Sequence, residues 1–284
     1  MKLKLRTGLA ICMALAVACA ADGSRAAILV SGPWDVATTN PPGTQGNGPI
    51  TNANTNGPTV GDNTSNSAAG EMIDSAFPAV TLANVGDKII FTGNVALAGT
   101  VNSAATSSTP RTQFRFGLFD GDDVGLDDNG WVGYSMSNKH GNAGTPAGTL
   151  ARKSVGNTTI YLSATGQTSL ATVQGDGTAA SLFHDATYAM NLSIERDALG
   201  GLLISATLTG SNGFSETLSA TDANAGLNGT YTFDHLGFLL GANLGTDQAV
   251  FSNLQISTPT IPEPTTLALG VASLMGGVLT RRRR

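Results

Sequence analysis

Carboxylates are densest at one place in this chain, Asp120-Gly121-Asp122-Asp123-Val124-Gly125-Leu126-Asp127-Asp128-Asn129-Gly130. Hard cations take clustered carboxylate and carbonyl oxygens, so Asp120, Asp122, Asp123, Asp127 and Asp128 are candidate calcium ligands, with calcium the one cofactor they suggest. The order of a twelve-residue calcium loop is not met: counted from Asp120, the fifth position is Val124 and the twelfth is Trp131. Asp, Asn and Gly in such a run also make good turns, so turn chemistry is the first reading and calcium the second. Trp131 and Tyr134 follow directly, and aromatic rings are surfaces on which sugar faces stack. These two are the candidate glycan contact. In an extended segment Trp131 and Gly133 share one face while Val132 and Tyr134 share the other, so at least one ring belongs to a core.

Other chemistry is thin. Glycoside hydrolysis needs two carboxylates flanking the scissile bond. Of the Glu residues at Glu71, Glu195 and Glu216, none has a second Glu nearby, and Glu195-Arg196-Asp197 falls where a turn is expected. A polysaccharide lyase could use His140, His184 or His235 with Tyr134, but isolated histidines are more often packed or surface residues. No catalytic residue is assigned, and the expectation is a protein that is not an enzyme. Both cysteines, Cys12 and Cys19, lie near the N-terminus, so thiol or disulfide chemistry is not expected in the body of the chain.

The elements that must position these residues read as strands. Ile89, Phe91, Val95 and Leu97 alternate with polar neighbours, as do Phe114, Phe116 and Leu118, and Tyr188, Met190, Leu192 and Ile194. Asp197-Ala198-Leu199-Gly200-Gly201 then turns the chain into Leu202, Ile204, Ala206 and Leu208, which predicts a hairpin over 188–208. Many short strands with Gly, Thr, Ser and Asn turns, and no helical period, predict an all-β two-sheet sandwich. Residues 38–69, rich in Thr, Asn, Gly and Pro, read as a solvated flexible arm. Trp34 precedes the arm and is expected to pin the first strand to the sandwich. Tyr188 to Glu195, Tyr231 to Leu240 and Ala249 to Ile256 together resemble a concanavalin-like or laminin-G-like jelly roll. Similar domains bind sugars, bind proteins or cut polysaccharides, so the resemblance by itself selects no function.

The two ends have a different character. Lys2, Lys4 and Arg6 precede an apolar run from Leu9 to Ala20 and small residues up to Ala26, the order of a secretory signal peptide over residues 1–26. Ala16-Val17-Ala18-Cys19 leaves lipidation at Cys19 as an alternative. At the C-terminus, Pro262-Glu263-Pro264 is followed by sixteen uncharged residues, 265–280, and then by Arg281, Arg282, Arg283 and Arg284. A helix over 265–280 would be roughly 24 Å long, short for a hydrocarbon core of about 30 Å. The expectation is a single, marginal transmembrane helix with its arginines held in the cytoplasm by the positive-inside rule.

This tail closely resembles the PEP-CTERM sorting signal of Gram-negative bacteria. The resemblance covers residues 261–284. It implies that an exosortase, a membrane transpeptidase, recognises the motif and passes the protein from the inner membrane to the cell surface or the extracellular matrix. The prolines at 262 and 264 fit that role physically, since they remove backbone donors and hold the segment extended.

The predicted organisation is thus a signal peptide (1–26), a β-sandwich ectodomain (27–258) and a sorting tail (259–284). Net charge is −5 with 12% charged residues, and acids outnumber bases in the body, which argues against a nucleic-acid partner. Expected partners are the exosortase, the membrane through the tail, and extracellular polysaccharide. Two functions stand first: a non-catalytic structural or adhesive surface protein, and a lectin-like carbohydrate-binding module. A polysaccharide-degrading enzyme is third.

Overall fold

In the alternating segments, every second side chain is apolar, and such a strand is stable only when that face is covered by another layer. The computed structural model describes residues 25–36, 50–61, 71–98, 113–121, 130–139, 146–156, 162, 166–174, 186–240 and 248–259. They form strands β1 (Arg25–Leu29), β2 (Asp35–Val36), β3 (Ile50–Thr51), β4 (Thr59–Gly61), β5 (Glu71–Thr81), β6 (Lys88–Ala98), β7 (Gln113–Asp120) and β8 (Val132–Lys139). The series continues with β9 (Pro146–Lys153), β10 (Gln167–Gln174), β11 (Ala186–Arg196), β12 (Leu202–Gly210), β13 (Ser215–Asp222), β14 (Thr232–Leu240) and β15 (Gln248–Pro259). One short helix, α1 (Ala225–Asn228), lies between β13 and β14. The chain divides into two units, Ala27–Thr258 and the two ends, Met1–Ala26 and Pro259–Arg284. Almost all of the second unit, including the expected signal helix, transmembrane helix and sorting motif, lies outside the described residues. Among the described residues no helix is long and apolar enough to cross a membrane.

The strands make two sheets. Sheet A runs β13-β12-β11-β6-β15-β4-β3, with β1 also paired to β15, and sheet B runs β10-β9-β8-β7-β14-β5-β2. The all-β two-sheet sandwich expected from alternation is therefore present. The hairpin read over 188–208 is β11–β12, with Tyr188 opposite Gly210 and Arg196 opposite Leu202. Its turn is held by Asp197, whose Oδ1 accepts from the amides of Leu199 (2.8 Å) and Gly201 (2.7 Å). Gly200 sits there at φ +82°, a left-handed conformation that glycine adopts without a Cβ clash.

Inward-facing rings from both sheets fill the space between. Phe91 of β6 and Phe251 of β15 meet Phe114 and Phe116 of β7 and Phe238 of β14, with Phe238 and Phe251 centroids 4.4 Å apart. Trp34 packs on Phe238 at 5.7 Å and donates from Nε1 to the Thr55 carbonyl at 3.0 Å. It pins the N-terminal segment as expected, and it also reaches into the predicted arm.

That arm needs correction. Within 38–69, residues 50–61 are built into sheet A: β4 pairs with β15, and β3 pairs with β4. The Asn56 amide explains the order. Its Nδ2 donates to the carbonyls of Val30 (2.7 Å) and Leu254, and its Oδ1 accepts from the Leu254 amide (3.0 Å). A polar side chain thus supplies the backbone partners that a composition argument assigns to water. The rest of 38–69 lies outside the described residues.

Candidate functional site

Polar side chains turn up in three places: between the sheets, on the outer face of sheet B, and on the outer face of sheet A. Between the sheets, Asp222 ends β13 facing inward and accepts from Tyr134 Oη of β8 (2.9 Å) and from Arg152 Nη1 of β9 (2.6 Å). All three are buried. Burial, and then the neighbouring Asp222 carboxylate, push the Tyr134 phenol above its usual range. At the other end of β13, Glu216 enters beside Asn138, whose Nδ2 donates to Glu216 Oε2 at 2.8 Å. Glu216 Oε1 and Asn138 Oδ1 are both buried without a hydrogen-bond partner. Burial pushes the Glu216 carboxyl up to about 7, the Asn138 bond opposing it. Gly148 makes the room, since a Cβ there would lie 1.7 Å from Glu216 Oε1.

The expected glycan contact at Tyr134 is overturned by this arrangement. Its ring is fully buried in the main core, and its hydroxyl is used on Asp222. Trp131 is 7% exposed and belongs to a second apolar cluster, with Met72, Phe119, Leu162 and Leu239, on the outer face of sheet B. It packs on Phe119 at 6.3 Å and on the His235 imidazole at 4.2 Å, so it offers no open ring face to a sugar. The two rings go to opposite faces of β8, as alternation requires, and both faces are covered.

Around Trp131 lies a polar rim that the sequence reading only half found. Asp234 Oδ1 accepts from the Gly121 amide (2.8 Å) and lies 2.6 Å from His235 Nδ1. Asp120 Oδ2 accepts from Thr230 Oγ1 at 2.7 Å. Gly121 is required here, because a Cβ would meet His235 Nδ1 at 2.5 Å. Asp120 is thus the described member of the acidic run, and Asp122, Asp123, Asp127 and Asp128 lie outside the described residues. Among the described residues no three His, Cys, Asp or Glu side chains converge in a way that could hold a metal ion. The signal for the missed pair was present: Phe233 and Leu236 are both core residues three apart, so alternation breaks at 234–235. The ladder with β5 is irregular there: Phe233 lies opposite Val80 and His235 opposite Ala76, so the extra residues are on β5.

Deeper on the same face, Arg115 and Lys153 are buried cations. Arg115 Nη1 donates to the Leu162 carbonyl. Burial pulls the guanidinium down to about 10 and the Lys153 amine to about 8.

No family model matches the chain, and no curated protein does. Solved structures do. Similar chains include peanut lectin (12% identity, 84% of this chain and 98% of that one, TM-score 0.45). A lectin from Bauhinia forficata in complex with GalNAc follows at 11% identity, 84% and 100% coverage and TM-score 0.46. A PL-14 alginate lyase from Aplysia kurodai matches at 10% identity, 71% and 87% coverage and TM-score 0.39. Likeness at this level carries no ligand or reaction across. The two-sheet architecture stands on the strand order itself.

The outer face of sheet A is the third place. Its strands β6, β11, β12, β13 and β15 turn Thr, Ser, Asn and Gln side chains outward, and these are exposed or half-buried. The charges they present there are Lys88 and Glu195, paired at 3.3 Å near one end of the face.

Proposed function

We propose that this chain is an exported surface or extracellular-matrix protein, sorted through its C-terminal tail by an exosortase, whose sandwich has a non-catalytic adhesive role towards extracellular polysaccharide. The tripartite order of Pro262-Glu263-Pro264, an uncharged stretch and Arg281 to Arg284 supports export and sorting.

The observation in the fold that carries the adhesive part is the place of β15. This last strand, which leads into the tail, is internal to sheet A: it is bonded to β6 along one edge and to β4 and β1 along the other. A pull on a tethered C-terminus is resisted by ladders on both sides of β15, which must shear together, whereas an edge strand would peel away one bond at a time. Such placement suits a domain held at its C-terminus under load. The inter-sheet cluster suits a scaffold as well, since Asp222, Arg152 and Tyr134 bond to one another there.

Intact mass of the protein recovered from cells and from medium tests the sorting. The expected species lacks residues 1–26 and those beyond about Pro264. A mass that retains Arg281 to Arg284 at the cell surface would overturn sorting by cleavage. A catalytic reading rests on His235 held by Asp234. It predicts polysaccharide chain shortening that is lost in His235→Asn, and an inert wild-type protein rejects it.

A further inference from the structure

We propose that the outer face of sheet A is a binding surface for a neutral polysaccharide that lies across its strands. This rests on the adhesive reading above and names the ligand class and the surface.

The strand registers put one row of hydrogen-bonding side chains across five strands. Gln255 of β15 is opposite Thr92 of β6, Thr92 is opposite Asn191 of β11, Asn191 is opposite Thr207 of β12, and Thr207 is opposite Thr217 of β13. With neighbouring strands about 4.8 Å apart, the row is roughly 19 Å long, the scale of several sugar units. A parallel row follows on one side, where Ser193, Ser205 and Ser219 are in register. On the other side, Ser252 is opposite Asn94, and Thr209 is opposite Ser215.

Every antiparallel sheet with one solvated face is polar outside, so polarity alone decides nothing. Charge does. A solvated face is normally rich in Lys and Glu, whereas these five strands present outward only Lys88 and Glu195, which neutralise each other. The other charged groups of these strands are drawn off the face. Glu216 and Asp222 point between the sheets, and Arg196 stacks 4.4 Å over the Tyr231 ring and donates to the carbonyls of Leu82 and Ala83. An anionic polymer therefore finds no cation to hold it, and a basic partner finds no acid.

Beside the outward apolar side chains of Ile90, Ala189, Leu203 and Ala220, what remains is a set of hydroxyls and amides that both donate and accept. The side chains of Thr92, Asn94, Asn191, Thr207, Asn253 and Gln255 have no intramolecular hydrogen bond among the described residues. They line a depression of about 360 Å³. Its rim on β15 is shaped by the bulge between Ser252 and Gln255, where Asn253 takes φ +54° and is exposed. Polyhydroxylated, uncharged chains match this surface group for group. Weak individual contacts repeated along a polymer are the regime in which multivalency gives retention.

Native affinity electrophoresis of the purified protein tests this, using gels that contain galactomannan, mixed-linkage β-glucan or alginate. The variants are Asn191→Ala/Thr207→Val/Gln255→Ala and, separately, Thr207→Lys. All three positions are half-buried on the outer face, and a thermal melt within a few degrees of wild type confirms folding. Expected is retardation by a neutral polymer and not by alginate, with at least a tenfold rise in apparent Kd in both variants. Variants retarded like wild type overturn the face but leave the adhesive reading standing. Retardation by alginate alone overturns the neutral class. Retardation by none of the three overturns the proposal and the adhesive reading together.

Discussion

Glu216 shows how much one buried side chain can do. Its Oε1 and the Asn138 Oδ1 are both acceptors without a partner, beside a single hydrogen bond between the same two groups. A proton on the carboxyl would turn one oxygen into a donor and close a second bond to the amide. That geometry agrees with a carboxyl pushed up to about 7 by burial. A carboxyl whose pKa is higher in the folded than in the unfolded chain favours folding most at low pH. Its contribution is full below the unfolded value of about 4.5, falls as pH rises towards 7, and then levels off, a loss on the order of 3 kcal/mol. Urea melts at pH 5 and pH 8 should show that loss, and Glu216→Gln, which is neutral at both, should flatten it. An equal pH slope in the variant would refute the assignment.

Among the elements, β15 carries most. It joins the early strands β1 and β4 to the middle of sheet A, and Asn56 fastens it where its ladder is broken by the bulge at Ser252 to Gln255. Asn56→Ala leaves the amide and carbonyl of Leu254 and the carbonyl of Val30 without that partner. A loss of about 1–3 kcal/mol is expected in a denaturant melt. Because β3 and β4 are tied to the rest through this strand, new protease sensitivity should appear first within 50–61. A cut elsewhere first would mean that Asn56 is not what holds them. The spacing of Phe251 and Leu254, both core residues three apart, marks this bulge in the sequence, as Phe233 and Leu236 mark the break in alternation in β14.

For the whole molecule, the question is what keeps the two sheets in one register. Apolar burial holds them together without direction, while the Asp222–Arg152–Tyr134 cluster ties β13 of sheet A to β8 and β9 of sheet B. Removing a single member should have unequal effects. Asp222→Ala leaves the Arg152 guanidinium buried without its counter-charge and should cost about 3–5 kcal/mol. Tyr134→Phe loses one hydrogen bond and keeps the ring, so about 1 kcal/mol is expected. Thermal melts of the two variants measure the difference, and equal small losses would show that packing alone sets the register.

Period-two alternation determined that the body of this chain is β, which residues of β6, β7, β11 and β12 face inward, and where the 188–208 hairpin turns, because side-chain direction along a strand is local. The order of apolar and charged segments at the two ends likewise carries the expectation of export and sorting without any fold. Strand pairing is a non-local choice, so only the tertiary structure decided that residues 50–61 join sheet A and that Tyr134 and Trp131 are both covered. The same holds for the rim that brings Asp120 and Trp131 to Asp234 and His235, side chains more than 100 positions apart in the chain. The charge-poor outer face of sheet A follows the same rule. Its Thr, Ser, Asn and Gln residues are unremarkable one by one, and only the register of five strands lays them side by side.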